Sequence, residues 1–554
     1  IPEGIQEGIT ERVPAIPGSS PEEKEGGVKP DGRRGSSVDV SFQTSPSVDV
    51  SLRDSPSATV SSVSPSEEPG ALRDLFELQV DWNPDRIAEL TRPCTGCGDC
   101  RDRSVRPRGC PVFRMDPSEL STPRAMVNLV RGILTGRLPR EIVAQRAFRM
   151  ITDRCIQCRL CSVNCPSRVD VSTLVSELKG AYVAANGLSL REWFVCRPDL
   201  MCAIASGLSP VMRGALQNRG FRWLLDRVFG VARQRQLPEI TSWPFLRRAA
   251  KRGYSRLPRY IRTSTSSVPS IPSVPPGSSE SGTPKVAYFV DSSANWNDPL
   301  VGESLVAILE AHDIPVYVPA DQVPSGSMAI RCGAFDIAEM YANRNLNALT
   351  EAVRQGYTIL TTEPSAALSL QKEYPSLLGS TESTGTSEGS MVAGEEDVRL
   401  VAGATQDACL FLWKLHLAGK LRTDFQEIPE RMGYYAPCQL IAMDIGLPGL
   451  DLLRLIPGLQ IRLIEAGCCG MAGLRGIRSE YFRESLRIGR NLASRIRDMD
   501  CTTVVTECGS CRIQIEQMSG RMTCHPIRIL AAAWGLTSFP GAPLLPGRSR
   551  RRGV

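Results

Sequence analysis

The chain has 554 residues, a formal net charge of +6, 22% charged residues, and nineteen cysteines against three histidines. At roughly 100–200 residues per domain that length allows three or four domains, and so little histidine excludes a site built on several imidazoles. The mild charge gives no case for a nucleic-acid partner, and no run of ~18 apolar residues marks a spanning helix.

Residues 1–70 are rich in Ser, Pro and Gly and hold twelve acidic residues against six basic ones, with Phe42 as their one aromatic. Such a segment buries too little apolar surface to offset chain entropy and reads as a disordered linker. Its near-repeat, SVDVSFQTSP followed by SVDVSLRDSP (37–56), is too short to stack as a solenoid. The chain opens at Ile1 rather than a methionine, so the expectation is a fragment whose start lies upstream.

Residues 71–184 carry two cysteine runs joined by helical sequence. Helices are expected at Pro123–Leu134 and Val171–Val183 from the spacing of their apolar residues. The first run is Cys94, Cys97 and Cys100, then Cys110-Pro111 after a gap of nine residues. The second is Cys155, Cys158, Cys161 and Cys165-Pro166, the C-x-x-C-x-x-C-x-x-x-C-P spacing of [4Fe–4S] ligation. In that pattern three thiolates wrap one cube and the Cys-Pro thiol crosses to the other. Cross-ligation gives one cluster on Cys94, Cys97, Cys100 and Cys165, and another on Cys155, Cys158, Cys161 and Cys110. Zinc ribbons are the alternative, but they pair two C-x-x-C units rather than triplets ending in Cys-Pro.

Residues 185–262 are helical and basic, with thirteen Lys/Arg against Asp226 and Glu239 between Arg213 and Arg262. Two readings stand: arginines in water over a layer packed on the clusters, or a patch on anionic lipid. Residues 263–284 are a second Ser/Pro linker.

Strands and helices then alternate, the pattern of parallel sheets covered by helices. The first α/β unit (285–378) has strands at Lys285–Asp291, Ile314–Pro319 and Tyr357–Thr362, with helices at Val301–His312 and Phe335–Gln355. A polar insertion (379–397) follows. The second unit (398–536) has strands at Gly433–Ala436, Ile461–Glu465 and Thr502–Thr506. Its helices are Glu480–Met499, Cys511–Met518 and Pro526–Trp534. A basic tail (537–554) closes the chain.

Cys438, Cys468-Cys469 and Cys508-x-x-Cys511 fall where strands of the second unit end, the place where open α/β sheets bind ligands. Five thiols there make a third metal site, iron–sulfur or zinc. The first unit has Asp291-Ser292, Pro324-Ser325-Gly326 and Glu363-Pro364-Ser365-Ala366 at the corresponding points. These side chains do not hold iron, so that unit is expected to be a metal-free scaffold or docking surface. Cys196, Cys202, Cys332, Cys409, Cys501 and Cys524 read as isolated thiols, and His525-Pro526 as a helix cap. No acid–base pair or nucleophile stands out, so no catalytic residue is assigned, and no G-x-G-x-x-G dinucleotide loop is found.

CTGCGDCRD…CPVFRMDPSELSTPRAMVNLVRGILTG (94–136) and CIQCRLCSVNCPSRVDVSTLVSELK (155–179) resemble the iron–sulfur part of FAD-linked 2-hydroxyacid dehydrogenases, the D-lactate dehydrogenase and glycolate oxidase type. GCCGMAGLRG (467–476) and TECGSCRIQI (506–515) resemble that family's second cysteine-rich (CCG-type) domain, and residues 285–378 a degenerate first one. Gln439 stands where a histidine often follows the first cysteine. The C subunit of anaerobic glycerol-3-phosphate dehydrogenase and the cysteine-rich polypeptide of heterodisulfide reductase are similar. The resemblance implies an α-helical double-cluster ferredoxin-like domain followed by two α/β cysteine-rich units after a disordered N-terminal segment. It implies an oxidoreductase module that takes electrons from a lactate- or glycolate-like 2-hydroxyacid through FAD on a missing N-terminal region or a partner flavoprotein. The electrons would go to a quinone or cytochrome. The alternatives are a membrane-surface, quinone-reducing subunit of the glycerol-3-phosphate dehydrogenase type and a thiol/disulfide centre. The expected location is cytoplasmic, with peripheral contact at the inner face of the membrane.

Overall fold

The computed structural model describes residues 84–102, 109–207, 214–216, 218–256, 283–378 and 394–539. The 1–70 segment with its near-repeat, most of the 263–284 linker and 379–397 insertion, and most of the basic tail lie outside them.

The first described unit is helical. Its main helices are α1 (Pro84–Thr91), α2 (Pro123–Leu134) and α3 (Val171–Asn186). Helix α2 starts where Thr122 Oγ1 accepts from the Ala125 amide and Pro123 fills the first position. Helix α3 starts where the Asp170 carboxylate accepts from the Ser172 and Thr173 amides. Met126, Val127 and Val130 of α2 meet Leu174, Val175 and Leu178 of α3 in one core.

The basic region is only partly helical. It contains α4 (Leu190–Cys196), opened by a Ser189/Glu192 capping box, then Pro198–Gly207, α5 (Arg219–Phe229) and Phe245–Lys251. Gly230 ends α5 in a left-handed turn, and Pro238 and Pro244 keep the following stretch extended. Val231 in that stretch makes an isolated antiparallel bridge to Arg478.

Two four-stranded sheets follow. The first contains β1 (Lys285–Phe289), β2 (Val316–Tyr317), β3 (Tyr357–Thr361) and β4 (Thr405–Asp407) in the order β2-β1-β3-β4. The second contains β5 (Arg431–Tyr434), β6 (Gln460–Leu463), β7 (Thr503–Val505) and β8 (Met522–Cys524) in the order β6-β5-β7-β8. Every pairing is parallel, so the two units have one topology. Strand β4 corrects the boundary drawn at 398. Thr405 pairs with Ile359 and Asp407 with Thr361, so the first sheet extends into the segment assigned to the second unit. Thr-Gln-Asp carries no apolar run, which is why sequence reasoning passed over it.

The helices of the first unit are α6 (Pro299–Ala311), α7 (Ser327–Cys332), α8 (Phe335–Arg354) and α9 (Glu395–Ala404). Those of the second include α10 (Cys438–Met443), α11 (Ser479–Asp498), α12 (Gly509–Ser519) and α13 (Pro526–Ala533). Leu305 and Leu309 of α6 and Ile527 and Leu530 of α13 belong to one buried core shared by both units. The strand ends of the two sheets therefore border a common space.

Candidate metal centres

The two ferredoxin-type runs have the same backbone. In the first, Gly96 and Gly98 have φ of +76° and +91°; in the second, Gln157 and Arg159 occupy the matching positions with φ of +52° and +61°. Left-handed turns between successive thiols point the sulfurs inward. For Gln157 and Arg159 that conformation costs about 1–2 kcal/mol each. Tertiary bonds offset it: Gln157 Nε2 donates to Ser176 Oγ at 2.6 Å, and Arg159 pairs with Asp170 at 2.7 Å and Glu373 at 3.0 Å.

Cys94, Cys97, Cys100 and Cys165 line one cavity, with Pro123, Val127 and Val169 among its apolar walls. Cys110, Cys155 and Cys158 line a second, walled by Val112 and Met126. Cys161 lines both. Burial pushes the Cys110 thiol up to about 11. It also raises Cys155, and it lifts Cys158 and Cys161 well above the usual thiol range. Thiols desolvated in this way become thiolates when iron supplies the compensating positive charge.

In the second α/β unit Cys438 opens α10, Cys468-Cys469 follow β6, and Cys508 caps α12 with Cys511 in its first turn. The Cys511 thiol donates to Cys469 Sγ at 3.3 Å. Gly470 N–H and Met471 N–H approach Cys468 Sγ and Cys469 Sγ at 3.4 and 3.5 Å. Hydrogen bonds from Cys468 and Cys511 draw Cys469 down to about 6, and one from Cys511 draws Cys508 to about 6. A bond to Cys468 and burial hold Cys438 well above the usual range.

All five thiols line a third cavity of about 340 Å³, which Cys158 of the second run also lines. Cys158 and Cys468 lie in one buried cluster with Cys438 packed against it. Gln439, at the position where the resemblance expects histidine, donates from Nε2 to the Gln157 carbonyl at 3.3 Å and so ties α10 to the second run.

Asp291, Ser325, Glu363 and Ser365 of the first α/β unit wall the same cavity. That unit is thus half of the third site and more than a scaffold. The missed signal was the shared topology, which brings corresponding strand ends together. Glu363 Oε1 accepts from the Gly509 amide at 2.7 Å, while Glu363 Oε2 and Gln439 Oε1 are buried without a hydrogen-bond partner. Burial, with the Cys508 sulfur nearby, holds the Glu363 carboxyl well above its usual range.

Two of the thiols read as isolated are neighbours: Cys332 packs against the buried cluster that holds Cys196, between α4 and α7. Cys409, Cys501 and Cys524 are buried, and Cys202 is half-buried. His525 caps α13 as expected.

Among the described residues no three His, Cys, Asp or Glu side chains form a preassembled single-ion site. The thiols stand instead around cavities several ångströms across, an all-sulfur donor set suited to iron–sulfur clusters.

Comparison with known proteins agrees with this donor chemistry. Residues 93–170 match the family model of a 4Fe-4S dicluster domain, and residues 432–516 that of a cysteine-rich domain. The chain is 27% identical over 370 residues to the C subunit of anaerobic glycerol-3-phosphate dehydrogenase of Escherichia coli (strain K12), covering 66% of this chain and 83% of that protein. It is 21% identical over 501 residues to D-2-hydroxyglutarate dehydrogenase of Pantoea ananatis (strain AJ13355), covering 83% of this chain and 45% of that one. It is 30% identical over 86 residues to the glycolate oxidase iron-sulfur subunit of Escherichia coli (strain K12), covering 16% and 18% of the two chains. The chain is an iron–sulfur oxidoreductase module, with a 4Fe-4S dicluster domain and a cysteine-rich domain homologous to those of these dehydrogenases and subunits.

Proposed function

We propose that this chain carries electrons from a flavoprotein that oxidises a lactate- or glycolate-like 2-hydroxyacid to a quinone. The observation that carries the reading is the sequence of three thiol-lined cavities, joined by Cys161 between the first and second and by Cys158 between the second and third. Cys94, Cys97, Cys100 and Cys165 would hold one [4Fe–4S] cluster, and Cys155, Cys158, Cys161 and Cys110 the other. Cys438, Cys468, Cys469, Cys508 and Cys511 would hold a third iron–sulfur group. Clusters bound there supply one-electron transfer, with potentials tuned by burial and by hydrogen bonds to sulfur.

The protein's own residues do the rest. Val112, Met126 and Val127 keep water from the inner thiols. Met201, Leu225 and Phe229 make one wall of the third cavity apolar, which favours a flat organic acceptor over a cytochrome. A quinone takes up two protons with two electrons, and the Glu363 carboxyl, held well above its usual range by burial, lies on the wall of that cavity. The test is anaerobic reconstitution followed by reduction with a flavoprotein donor. Reoxidation by a soluble quinone but not by cytochrome c is expected. Failure of both acceptors to reoxidise the reduced protein sinks the reading.

A second reading rests on helix α5. Trp223, Leu224 and Val228 are about half exposed on it, beside Arg219, Arg222 and Arg227. That surface suits peripheral contact with anionic lipid. Among the described residues no helix is long and apolar enough to cross a membrane. Salt-sensitive binding to anionic vesicles is expected on this reading, and no binding at low salt removes it.

A further inference from the structure

Four cations are buried among the described residues: Arg149, Arg159, Lys179 and Arg235. A buried charge is costly unless an opposite charge compensates it. Three of the four meet carboxylates. Arg149 pairs with Asp153 at 2.9 Å and Glu192 at 2.8 Å, Arg159 with Asp170 and Glu373, and Lys179 with Asp153 at 3.1 Å.

Arg235 is the exception. It is 1% exposed, the most buried of the four, and none of its partners carries a charge. Its guanidinium donates to the Gly476 carbonyl at 2.9 Å, Gln514 Oε1 at 2.6 Å, Gln517 Oε1 at 2.9 Å and Ser485 Oγ at 3.1 Å. It also lies over the Phe482 ring at 4.6 Å. The nearby cations do not share its situation. Arg233 pairs with Asp226, and Arg222 is spent on the carbonyls of Ala232, Arg233 and Arg235.

Gly476, Gln514 and Gln517 lie on segments that carry thiols of the third site, and Ser485 lies on α11, which is bonded to one of them. Gly476 is in the loop after Cys468-Cys469, and its amide donates to the Met471 carbonyl. Gln514 lies one turn beyond Cys511 on α12, and its Nε2 donates to the Ser485 carbonyl on α11 at 3.0 Å. A Cβ at Gly489 of α11 would lie 2.5 Å from the Cys469 carbonyl oxygen and 2.8 Å from Gln514 Nε2, so the bare glycine lets α11 pack against both. Through its bonds to Gly476 and Gln514 the guanidinium sits against the Cys468-Cys469 loop and the Cys511 helix, and the Cys469 sulfur acts on it as an opposite charge.

We propose that Arg235 is the resident counter-charge of the thiolate centre at Cys438, Cys468, Cys469, Cys508 and Cys511, and that it raises the reduction potential of that centre. The inference rests on the third site holding an iron–sulfur group. Reduction adds negative charge to a water-poor site, and a fixed cation beside it favours the added electron.

The test uses the full chain, anaerobically reconstituted with iron and sulfide, and follows redox titration by EPR. Wild type is expected to show a third signal that Cys469→Ser removes. Absence of that signal defeats the underlying reading before Arg235 is touched. Where it is present, Arg235→Gln is expected to make reduction of that centre at least tenfold less favourable, a shift of about 59 mV for one electron. The signals of the other two clusters stay in place as internal controls. Arg235→Lys keeps the charge without the fork, so its potential is expected near that of wild type. A centre that assembles in Arg235→Lys but not in Arg235→Gln also supports the proposal. An unshifted Arg235→Gln, a Lys variant shifted as far as the Gln variant, or loss of the centre in both overturns it.

Discussion

His525 shows how one side chain can report on the joint between the two α/β units. Its Nε2–H donates to the Thr362 carbonyl at 2.9 Å, across from β8 to the end of β3. Its Nδ1 accepts from the Ile527 amide at 3.1 Å and so caps α13. The Nδ1 bond requires the neutral ring, and burial first of all depresses its pKa to about 4 although the Thr362 carbonyl pulls it the other way. The sign of the pH effect follows. Between pH ~4 and ~6.5 the unfolded chain binds a proton at this site and the folded chain does not. Stability from this group is complete above pH ~6.5 and is lost as pH falls toward ~4, by about 3 kcal/mol in all. Thermal melts at pH 5 and pH 7 are expected to show a larger acid loss for wild type than for His525→Asn. The Asn variant keeps a capping oxygen and costs about 1 kcal/mol at pH 7. Equal acid sensitivity in the two proteins would remove the argument.

Contacts between elements set the helical unit against the first α/β unit. Gly333 follows α7 with φ of +78°, and a Cβ there would lie 2.4 Å from the backbone of Lys179 and Gly180 on α3. Neither backbone can yield cheaply, so Gly333→Ala is expected to cost about 3 kcal/mol or more. Gly98→Ala is the control. Its φ is +91° with nothing within 4 Å of the added methyl, so its cost is the left-handed strain alone, about 1–2 kcal/mol. Denaturant unfolding that ranks the two variants the other way would contradict this packing. Packing of this kind also marks the limit of what sequence makes legible. The long amphipathic helices α2, α3, α8 and α11 and the apolar strands β1 and β3 were legible because their periodicity is strong. Strand β4, Thr-Gln-Asp, was not, since its polar composition gives no pattern, nor was β8, whose Met-Thr-Cys is too short to show alternation. The thiol ligand candidates were legible from spacing. The carboxyl wall of Asp291 and Glu363 was not, because opposing strand ends become neighbours only when the two units pack. Arg235 was invisible for a similar reason: in an arginine-rich stretch nothing local separates the one buried guanidinium from the exposed ones.

At the scale of the whole molecule, the order of the cavities is a statement about which thiols act together. Cys165 lies in the second run yet lines the cavity of the first, and Cys110 follows the first run yet lines the cavity of the second. Two ligand assignments compete. Crossed ligation groups Cys94 with Cys165 and Cys110 with Cys155. Uncrossed ligation groups Cys94 with Cys110 and Cys155 with Cys165. Pairs of serine substitutions separate them, because two changes in one site remove one cluster and two changes in different sites remove both. Under crossed ligation Cys94→Ser with Cys165→Ser is expected to leave one of the two ferredoxin-type [4Fe–4S] signals, and Cys94→Ser with Cys110→Ser neither. Uncrossed ligation predicts the reverse. Mössbauer and EPR counts on the reconstituted variants decide the matter, with circular dichroism confirming that the chain still folds. The crossed outcome is expected because Cys161 lines both cavities, and the short helix Leu160–Asn164 that contains it leads Cys165 to the wall of the first. That helix makes each cluster depend on both cysteine runs. Under crossed ligation, unfolding of either run removes ligands from both clusters, whereas loss of two ligands from one cluster leaves the other intact.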